Sequence, residues 1–417
     1  MRAAIIRHTL RSLKSQWWPA AQVASWQEQQ LIRMMRHAVT AVPFYRQLGI
    51  DAAALVSAAD LARFPILHKR DIQADPDAFL AAGADRKCLR SSRTSGTTGE
   101  PTVTWFDEES WALTKYALKI RRILAVTSPW FRRLLIVNEQ LPEATNRYRK
   151  ERAFGTGFLY SEHIVSLYDD MALHRQTIRE FRPDMVYAFP SFLLELIRSY
   201  EQAGEAIPAI GTLFTSSETL TPAARREIET SFQGRLFDLY GSTEFKEVAW
   251  QCREGRYHLN FESVYLEAPR CDASEHGGPL LLSGLANRAM PLLRYDTGDL
   301  GSLGESTCPC GRHTPQLILT RGRVDDMLQL PSGRRLFSDT LTSLVDALPG
   351  VQQYRILHER PARFVVQLVS RERPSVEIVE GCRRRMLQAL SEPVEILVEH
   401  VPGFDCAGKH QAFVRLW

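Results

Sequence analysis

Apolar and polar positions follow three different patterns along the chain, and the first of them is helical. Up to about residue 85, apolar residues recur at intervals of three and four. Leu31, Met34, Met35 and Ala38 share one face of the segment 26–41. We therefore expect helices in this first region.

The second region, from about residue 90 to 320, mixes strand and helix patterns. Short runs rich in β-forming residues, such as Arg133–Val137 and Gly278–Ser283, alternate with helical stretches such as Ser191–Gln202 and Pro222–Phe232. Strands that alternate with helices are typical of an α/β architecture.

The third region follows Arg323 and predicts helix 339–348, strands 352–358 and 363–369, helix 375–390 and strand 394–400. A chain of 417 residues is too long for one ordinary core, so we expect two domains. The predicted fold class is α/β, with a large domain of sheets and packed helices over 1–323. A small, mobile α+β domain over 324–417 follows a short hinge.

Composition and charge exclude several classes of protein. The 52 basic residues nearly balance the 48 acidic ones, which argues against a nucleic-acid partner. No apolar run approaches the ~20 residues of a membrane span, and no cleavable leader is visible, so we expect a cytoplasmic protein without stable membrane insertion. The odd number of cysteines, 7, suits a reducing compartment. Segment 3–18 mixes basic and apolar residues as a membrane-surface helix would, but packing on the main body is favoured.

The most informative motif is a Ser/Thr/Gly-rich loop at 91–101. Its glycines permit tight turns and bring amide groups close to an anion, while its hydroxyls add donors, so the loop suits a polyphosphate. It is not a Walker P-loop, because Glu100 stands where a lysine would be expected. By itself such a loop could equally be a flexible connector. The candidate phosphate-binding residues are Ser95, Gly96, Thr97, Thr98 and Gly99.

Four further motifs follow in a characteristic order: Tyr240-Gly-Ser-Thr-Glu244, Arg294-Tyr-Asp-Thr-Gly-Asp-Leu300, Gly322-Arg-Val-Asp-Asp326 and Gly408-Lys409. With the loop, they make the sequence resemble the adenylate-forming superfamily, in its phenylacetate-CoA ligase-like (CapK-like) branch, from about residue 40 to 417. The resemblance implies an ATP-dependent ligase. Such an enzyme converts a carboxylic acid into an acyl-adenylate with release of pyrophosphate and then transfers the acyl group to coenzyme A.

The second and third motifs supply candidate nucleotide and metal ligands. Glu244 is a hard oxygen ligand suited to Mg²⁺, and Thr243 can donate its hydroxyl to the α-phosphate. Tyr240, next to Gly241, offers a flat face for adenine. The resemblance makes Asp299 the ribose-binding carboxylate. A strand-end turn and a buried Asp–Arg pair are the ordinary structural alternatives.

The resemblance assigns further roles near the ends of the two predicted domains. Arg323 closes the nucleotide site, and Ser217-Glu218 lies near adenine, although these two residues could instead precede a helix. Lys409 reaches from the small domain and bridges the substrate carboxylate and the α-phosphate, where negative charge develops. Asp325 is the hinge about which that domain turns between the two half-reactions. The family loop often ends in Gly-Lys-Pro, whereas this one has Glu100, so weaker ATP binding or a lapsed enzyme stays open.

Two pairs of soft or borderline ligands indicate a metal site. Cys252 and His258 follow the Glu244 motif, and Cys308 and Cys310 follow the Asp299 motif. Four such ligands suit a tetrahedral structural Zn²⁺, as in part of the family that the sequence resembles. Cys271 is the alternative if one ligand is misassigned, and four unliganded side chains remain the other interpretation.

The substrate follows less directly from the sequence. The resemblance places the acyl pocket beside aromatic residues, which suggests an aromatic carboxylic acid, although the same residues could form core. Coenzyme A is the default acceptor; a carrier protein acting in trans or an amine is the alternative. A nucleotide-binding regulator that has lost catalysis is a second class of function, and a homodimer is suggested by the resemblance only. The candidate pocket residues are Tyr187, Phe189, Pro190, Phe214 and Phe245.

Overall fold

The fold is described from a computed structural model that covers residues 1–93, 102–127, 132–138, 160–268, 277–323, 327–404 and 410–417. A π-helical stretch at Ala112–Ala117 links two helices. Short 3₁₀ turns occur at Ala52–Ala54, Ala58–Arg63 and Arg86–Cys88. The α-helices are α1 (Arg2–Ser15), α2 (Ala20–Ala41), α3 (Pro43–Arg46), α4 (Lys69–Ala74), α5 (Glu108–Trp111), α6 (Leu118–Val126), α7 (Met171–Phe181), α8 (Pro190–Gln202), α9 (Pro222–Ser231), α10 (Asp339–Asp346) and α11 (Val376–Leu390).

The strands alternate with these helices through the middle of the chain and dominate its last third. They are β1 (Arg90–Arg93), β2 (Val103–Phe106), β3 (Arg132–Asn138), β4 (Tyr160–Ser166), β5 (Met185–Ala188), β6 (Thr212–Ser216), β7 (Arg235–Ser242), β8 (Lys246–Gln251), β9 (Tyr257–Leu259), β10 (Val264–Glu267), β11 (Gly278–Gly284), β12 (Tyr295–Leu303), β13 (Gln316–Arg323), β14 (Met327–Gln329), β15 (Arg335–Phe337), β16 (Val351–Arg360), β17 (Arg363–Ser370), β18 (Glu395–His400) and β19 (Phe413–Arg415).

The chain divides into two compact units, and the first is built on antiparallel strands. Its described residues are 1–93, 102–127, 239–268 and 277–319. The strand order is β10-β11-β12-β13-β9-β8, and the end of β7 pairs with β8. Helix α2 buries Leu31, Met35 and Ala38 in the core beneath these strands, as the spacing of its apolar residues predicts.

Helix α1 packs within the same unit, where it lies against the π-helical stretch and α6. Its Ser15 hydroxyl donates to Glu262 (2.7 Å), and Glu262 forms a buried ion pair with Arg121 of α6 (2.8 Å). One face of α1 is therefore anchored, although Ile6 and Leu10 stay exposed. Among the described residues, no helix combines the length and apolar composition needed to cross a membrane.

The second unit contains residues 132–138, 160–238, 320–323, 327–404 and 410–417 of the described chain. Its first part is a parallel sheet in the order β6-β5-β3-β4, covered by α7, α8 and α9. Its second part is the sheet β18-β17-β16-β19 with α10 and α11, and this part has its own apolar core. The elements predicted after Arg323 are all present within a few residues of their predicted bounds.

The mixed α/β fold class is confirmed. The domain boundary predicted at Arg323 stays a prediction, because the compact second unit contains both the parallel sheet and the C-terminal α+β part.

Candidate active site and metal centre

Two of the predicted nucleotide ligands meet in the first unit although 59 residues separate them. Tyr240, near the end of β7, donates its hydroxyl to Asp299 Oδ2 of β12 at 2.8 Å. The backbone at Asp299 is fixed in turn, because its N–H donates to Thr297 Oγ1 at 3.1 Å. The structure thus brings together an aromatic face and a carboxylate from two separate motifs, which is what binding of a nucleoside requires.

Glu244 is buried beside the same strands. Only 7% of its surface is exposed, and its Oε1 accepts the Tyr295 hydroxyl at 3.0 Å. Phe245 packs on the Tyr295 ring with 5.8 Å between centroids. A buried carboxylate that accepts from a neutral hydroxyl has further oxygen lone pairs suited to a hard divalent cation. Thr243 is half-buried next to it.

The turn that carries these residues requires glycine at one position. The register between β7 and β8 shifts between Tyr240 and Gly241, and the pairing then continues through Ser242 and Lys246. A Cβ atom on Gly241 would lie 2.3 Å from the carbonyl oxygen of Lys246, a distance that no side chain tolerates. Lys246 itself has a φ of 64°, which a residue with a side chain adopts only at a cost in free energy.

Lys246 is a residue near this site that the motifs did not identify. Its ammonium hydrogen-bonds Ser92 Oγ of β1 and lies 5.0 Å from the ring centre of Phe106 and 5.3 Å from that of Trp111. Burial lowers the pKa of Lys246 to about 7, an effect increased by Lys115 and opposed by Glu244. The strained backbone and the burial of Lys246 can be recognised only in the structure, because the sequence pattern shows neither.

The four predicted metal ligands come together in the first unit. The ligand atoms of Cys252, His258, Cys308 and Cys310 all lie within 4.8 Å of one another. The Sγ atoms of Cys252 and Cys308 are 3.8 Å apart, and Cys310 Sγ is 3.4 Å from His258 Nε2. With Zn–S and Zn–N bonds of ordinary length, a tetrahedron places two sulfurs about 3.8 Å apart and sulfur and nitrogen about 3.6 Å apart.

The surroundings of the four ligands also suit a metal. His258 Nδ1 is 2.8 Å from Thr314 Oγ1, which directs Nε2 toward the cysteines. Burial lowers the pKa of His258 to about 4, so the ring is neutral and can act as a ligand near pH 7. Burial raises the pKa of the Cys308 thiol to about 12 and also raises that of Cys252, so these thiols would lose their protons only as a metal binds. This set of side chains therefore fits a closed tetrahedral site.

The residues that directly follow helix α1 contact one of the two loops that carry the Cys/His cluster. Arg312, two residues after Cys310, donates its Nε and a terminal nitrogen to Gln16 Oε1 at 3.0 and 2.9 Å. Its guanidinium lies 4.4 Å from the ring centre of Trp17 and 4.9 Å from that of Trp250. The loop that carries Cys308 and Cys310 therefore connects the end of α1 to the strands of the first unit.

The remaining candidate residues that the structure describes belong to the second unit. Ser217, with a φ of 72°, precedes Glu218 in the connection between β6 and α9. The adjacent α9 is capped by Thr221, whose Oγ1 accepts from Ala224 N at 3.0 Å. Tyr187 hydrogen-bonds through its hydroxyl to Ser216 Oγ at 2.5 Å.

The aromatic residues predicted for the acyl pocket are mostly buried in cores. Phe189 and Pro190, at the start of α8, are buried, and Phe214 packs on Phe237 with 6.1 Å between centroids. Phe245 belongs to the core of the first unit. The acyl-pocket assignment of these residues stays a prediction.

Several predicted residues are outside the part of the chain that the structure describes. They are the phosphate-loop residues Ser95, Gly96, Thr97, Thr98 and Gly99, the predicted hinge Asp325 and the predicted catalytic Lys409; for Arg323 only the backbone is described. Their roles stay predictions.

Comparison with known proteins shows which solved structure the fold resembles. No protein-family model matches the chain. Its fold matches that of a 2-hydroxyisobutyryl-CoA ligase solved in complex with R3-HIB-AMP, with a TM-score of 0.76 over 96% of this chain and 91% of that one, at 18% identity. The two chains therefore share a fold.

Sequence similarity narrows the assignment. The chain is 26% identical to the phenylacetate-coenzyme A ligase of Thermus thermophilus over 418 aligned positions, covering 90% of this chain and 89% of the relative. It is 28% identical to the Escherichia coli phenylacetate-coenzyme A ligase, covering 72% of this chain and 71% of the relative. The chain is similar over most of its length to phenylacetate-coenzyme A ligases, and the resemblance stated from the motifs is confirmed.

Proposed function

We propose that the protein is an AMP-forming acid–thiol ligase that activates a carboxylic acid with ATP and transfers the acyl group to coenzyme A. The observation that carries the proposal is the hydrogen bond between Tyr240 and Asp299, which joins the two nucleotide-binding motifs beside the buried Glu244. In the first half-reaction, a carboxylate oxygen bonds to the α-phosphorus and pyrophosphate leaves. In the second, the thiol sulfur bonds to the acyl carbon and AMP leaves.

The described residues of the first unit would bind and orient ATP. Tyr240 stacks on adenine, and Asp299 accepts the ribose hydroxyls. Thr243 donates to the α-phosphate, and Glu244 holds Mg²⁺, which neutralises phosphate charge when it is bound. Fixed polar groups of this kind lower the barrier because they need little reorganisation as charge develops.

Lys246 would add a positive charge beside the two strands that precede and follow the predicted phosphate-binding loop along the chain. Its ammonium contacts Ser92 in β1 and Phe106 in β2, the two strands that the loop 94–101 connects along the chain. The loop has Glu100 where the family that it resembles often has lysine, and the protonated form of Lys246, whose pKa is about 7, would offset part of the missing positive charge.

We predict that Lys246→Met lowers acid-dependent ATP/pyrophosphate exchange about tenfold, because a charge-assisted contact at the base of the loop is lost. Exchange would be measured at saturating acid over a range of ATP concentrations. Lys119→Met is the matched control, since Lys119 lies over Tyr116 (5.9 Å) and outside the proposed site. Equal exchange in both variants and the unmodified protein would remove Lys246 from the site.

We also propose that the Cys252, His258, Cys308 and Cys310 cluster holds a structural Zn²⁺. The support is geometric, because the separation of Cys252 Sγ from Cys308 Sγ and that of Cys310 Sγ from His258 Nε2 match a zinc tetrahedron. Four protein ligands leave no position for substrate, so the metal would stabilise the fold and take no part in the reaction.

An aromatic acid is the proposed substrate class, because the similar curated proteins are named phenylacetate-coenzyme A ligases. Product analysis tests both substrate and acceptor. The protein would be incubated with ATP, Mg²⁺, coenzyme A and a panel of aryl, arylacetic and fatty acids. We expect equal amounts of AMP and acyl-CoA, with aryl or arylacetic acids preferred. Acyl-adenylate without acyl-CoA would favour a carrier protein or an amine as acceptor, and a preference for fatty acids would reject the aromatic assignment.

Cytoplasmic location and a homodimer stay predictions.

A further inference from the structure

The Glu218 carboxylate lies at the start of α8 in the second unit, although it is distant in sequence. Its Oε2 accepts the Ser191 backbone N–H at 2.9 Å, and its Oε1 accepts the Ser191 hydroxyl at 2.8 Å. The first N–H groups of a helix have no intrahelical acceptor, and α8 has no cap from its own preceding side chain. Glu218 supplies that cap, and the positive end of the helix dipole favours its charge.

The same carboxylate holds the C-terminal part of the second unit. Glu218 Oε1 also accepts the backbone N–H of His410 at 2.9 Å, across 192 residues of sequence. This amide nitrogen belongs to the peptide bond that joins His410 to the predicted catalytic lysine, Lys409. The hydrogen bond between Glu218 and the His410 amide is therefore one covalent bond away from Lys409, the residue on which adenylation is proposed to depend.

His410 is itself rigidly held by its own sheet. Its Nε2–H donates to the Tyr354 carbonyl of β16 at 2.8 Å, and its ring stacks on Phe404 with 4.8 Å between centroids. Burial lowers the pKa of His410 to about 4, so the ring is neutral near pH 7. The position of His410 is therefore coupled to that of β16 through this hydrogen bond. It is also coupled to that of β19, which begins three residues later and pairs with β16.

Several further contacts between these two parts of the second unit are polar as well. Thr221 Oγ1 donates to the Gln352 carbonyl at 3.1 Å. Arg371 binds Glu201 at 2.7 Å and Glu227 at 2.8 Å. Hydrogen bonds and exposed ion pairs can be exchanged for water at small cost in free energy, unlike a continuous apolar interface. These contacts suit two parts that separate and rejoin.

We propose that Glu218, with Ser191 and His410, forms a latch that positions Lys409 for the adenylation half-reaction, an inference that rests on the proposed ligase function. The two donors of Ser191 stay with Glu218 when His410 leaves, so the carboxylate is held in place before the latch forms. Forming or breaking the latch makes or breaks the hydrogen bond to the His410 amide. Glu218 is a positioning residue in this account, which differs from the adenine-binding role that the family resemblance gives it.

The test is the separation of the two half-reactions in full-length Glu218→Gln. Adenylation is measured as acid-dependent ATP/pyrophosphate exchange, and thioester formation is measured from synthetic acyl-adenylate and coenzyme A. We expect exchange to fall about tenfold to a hundredfold, while thioester formation stays within about twofold. An equal loss in both half-reactions would show that Glu218 only stabilises the fold, and unchanged exchange would show that the latch does not position the lysine.

The dependence on ATP distinguishes the latch from a nucleotide ligand. A latch predicts a lower maximal exchange rate with nearly unchanged KM for ATP, whereas an adenine ligand predicts a higher KM for ATP with the maximal rate retained. Glu205→Gln is the matched control, because Glu205 pairs with Arg175 (3.4 Å) on the surface of the same unit. A raised KM as the main effect would overturn the proposal.

The amide of His410 can be removed separately. His410→Pro deletes the N–H that Glu218 accepts, while His410→Ala retains it and loses only the ring. Because Glu218→Ala and His410→Pro both remove the hydrogen bond between these two residues, the double variant should lose no more exchange than the more impaired single variant. Independent, multiplied losses would contradict the latch. Absence of exchange in the unmodified protein with every acid would instead reject the ligase function itself.

Discussion

Lys409→Ala is expected to lower acid-dependent ATP/pyrophosphate exchange by about two to three orders of magnitude, the effect of removing one charged group from a developing negative charge in a shielded site. The ammonium is proposed to bridge the substrate carboxylate and the α-phosphate, and no described residue of the C-terminal part is proposed to replace it. Binding of ATP, measured by equilibrium titration, should change by less than about threefold, because most nucleotide contacts come from other motifs.

The second half-reaction supplies the internal control for this variant. If Lys409 acts in adenylation only, the alanine variant still forms thioester from synthetic acyl-adenylate and coenzyme A at nearly the normal rate. Lys87→Ala, which changes an exposed lysine in a 3₁₀ turn, should behave as the unmodified protein in both assays. Full exchange in Lys409→Ala, with ATP still bound, would instead support the nucleotide-binding regulator.

Loss of the metal is the second large effect that we predict. The purified protein should contain about one zinc per chain. Cys308→Ser should abolish it and lower the free energy of unfolding by about 3 kcal/mol, or roughly 4 °C in Tm. The physical reason is the position of the cluster: Cys308 and Cys310 lie in the loop that Arg312 ties to Gln16 and Trp17 of the N-terminal segment.

Elemental analysis and thermal unfolding check this prediction. Cys88→Ser is the matched control, because Cys88 is an exposed cysteine outside the cluster and should leave zinc content and Tm unchanged. A strong chelator should destabilise the unmodified protein and leave Cys308→Ser unaffected. Zinc-free protein with full stability and activity would show that the four side chains are only packed together.

The sequence predicted those parts of the fold that depend on local pattern. The helical face of α2 and the order of elements after Arg323 could be identified because burial imposes a period of 3.6 or 2 on apolar residues. Tyr240 and Asp299, which come from two separate motifs, are in contact in the fold, and their nucleotide-binding roles stay predictions. The metal ligands could be grouped because each pair occupies one short loop.

Long-range geometry explains what the sequence did not predict. Lys246 was not among the residues that the motifs identified. Its positive φ and its burial against Phe106 and Trp111 are defined only in the folded chain. The bond between Glu218 and His410 spans 192 residues and uses a backbone donor, which no side-chain pattern reveals. Aromatic residues such as Phe214 have the same appearance in a sequence whether they line a pocket or fill a core.

The central claim is that the protein adenylates a carboxylic acid, and ATP/pyrophosphate exchange tests it most directly. The assay would use radiolabelled pyrophosphate, Mg²⁺ and a library of carboxylic acids without coenzyme A, so that only the first half-reaction is observed. We predict exchange that depends on the acid and is strongest with aryl or arylacetic acids. Binding of ATP without exchange for any acid in the library would contradict the account.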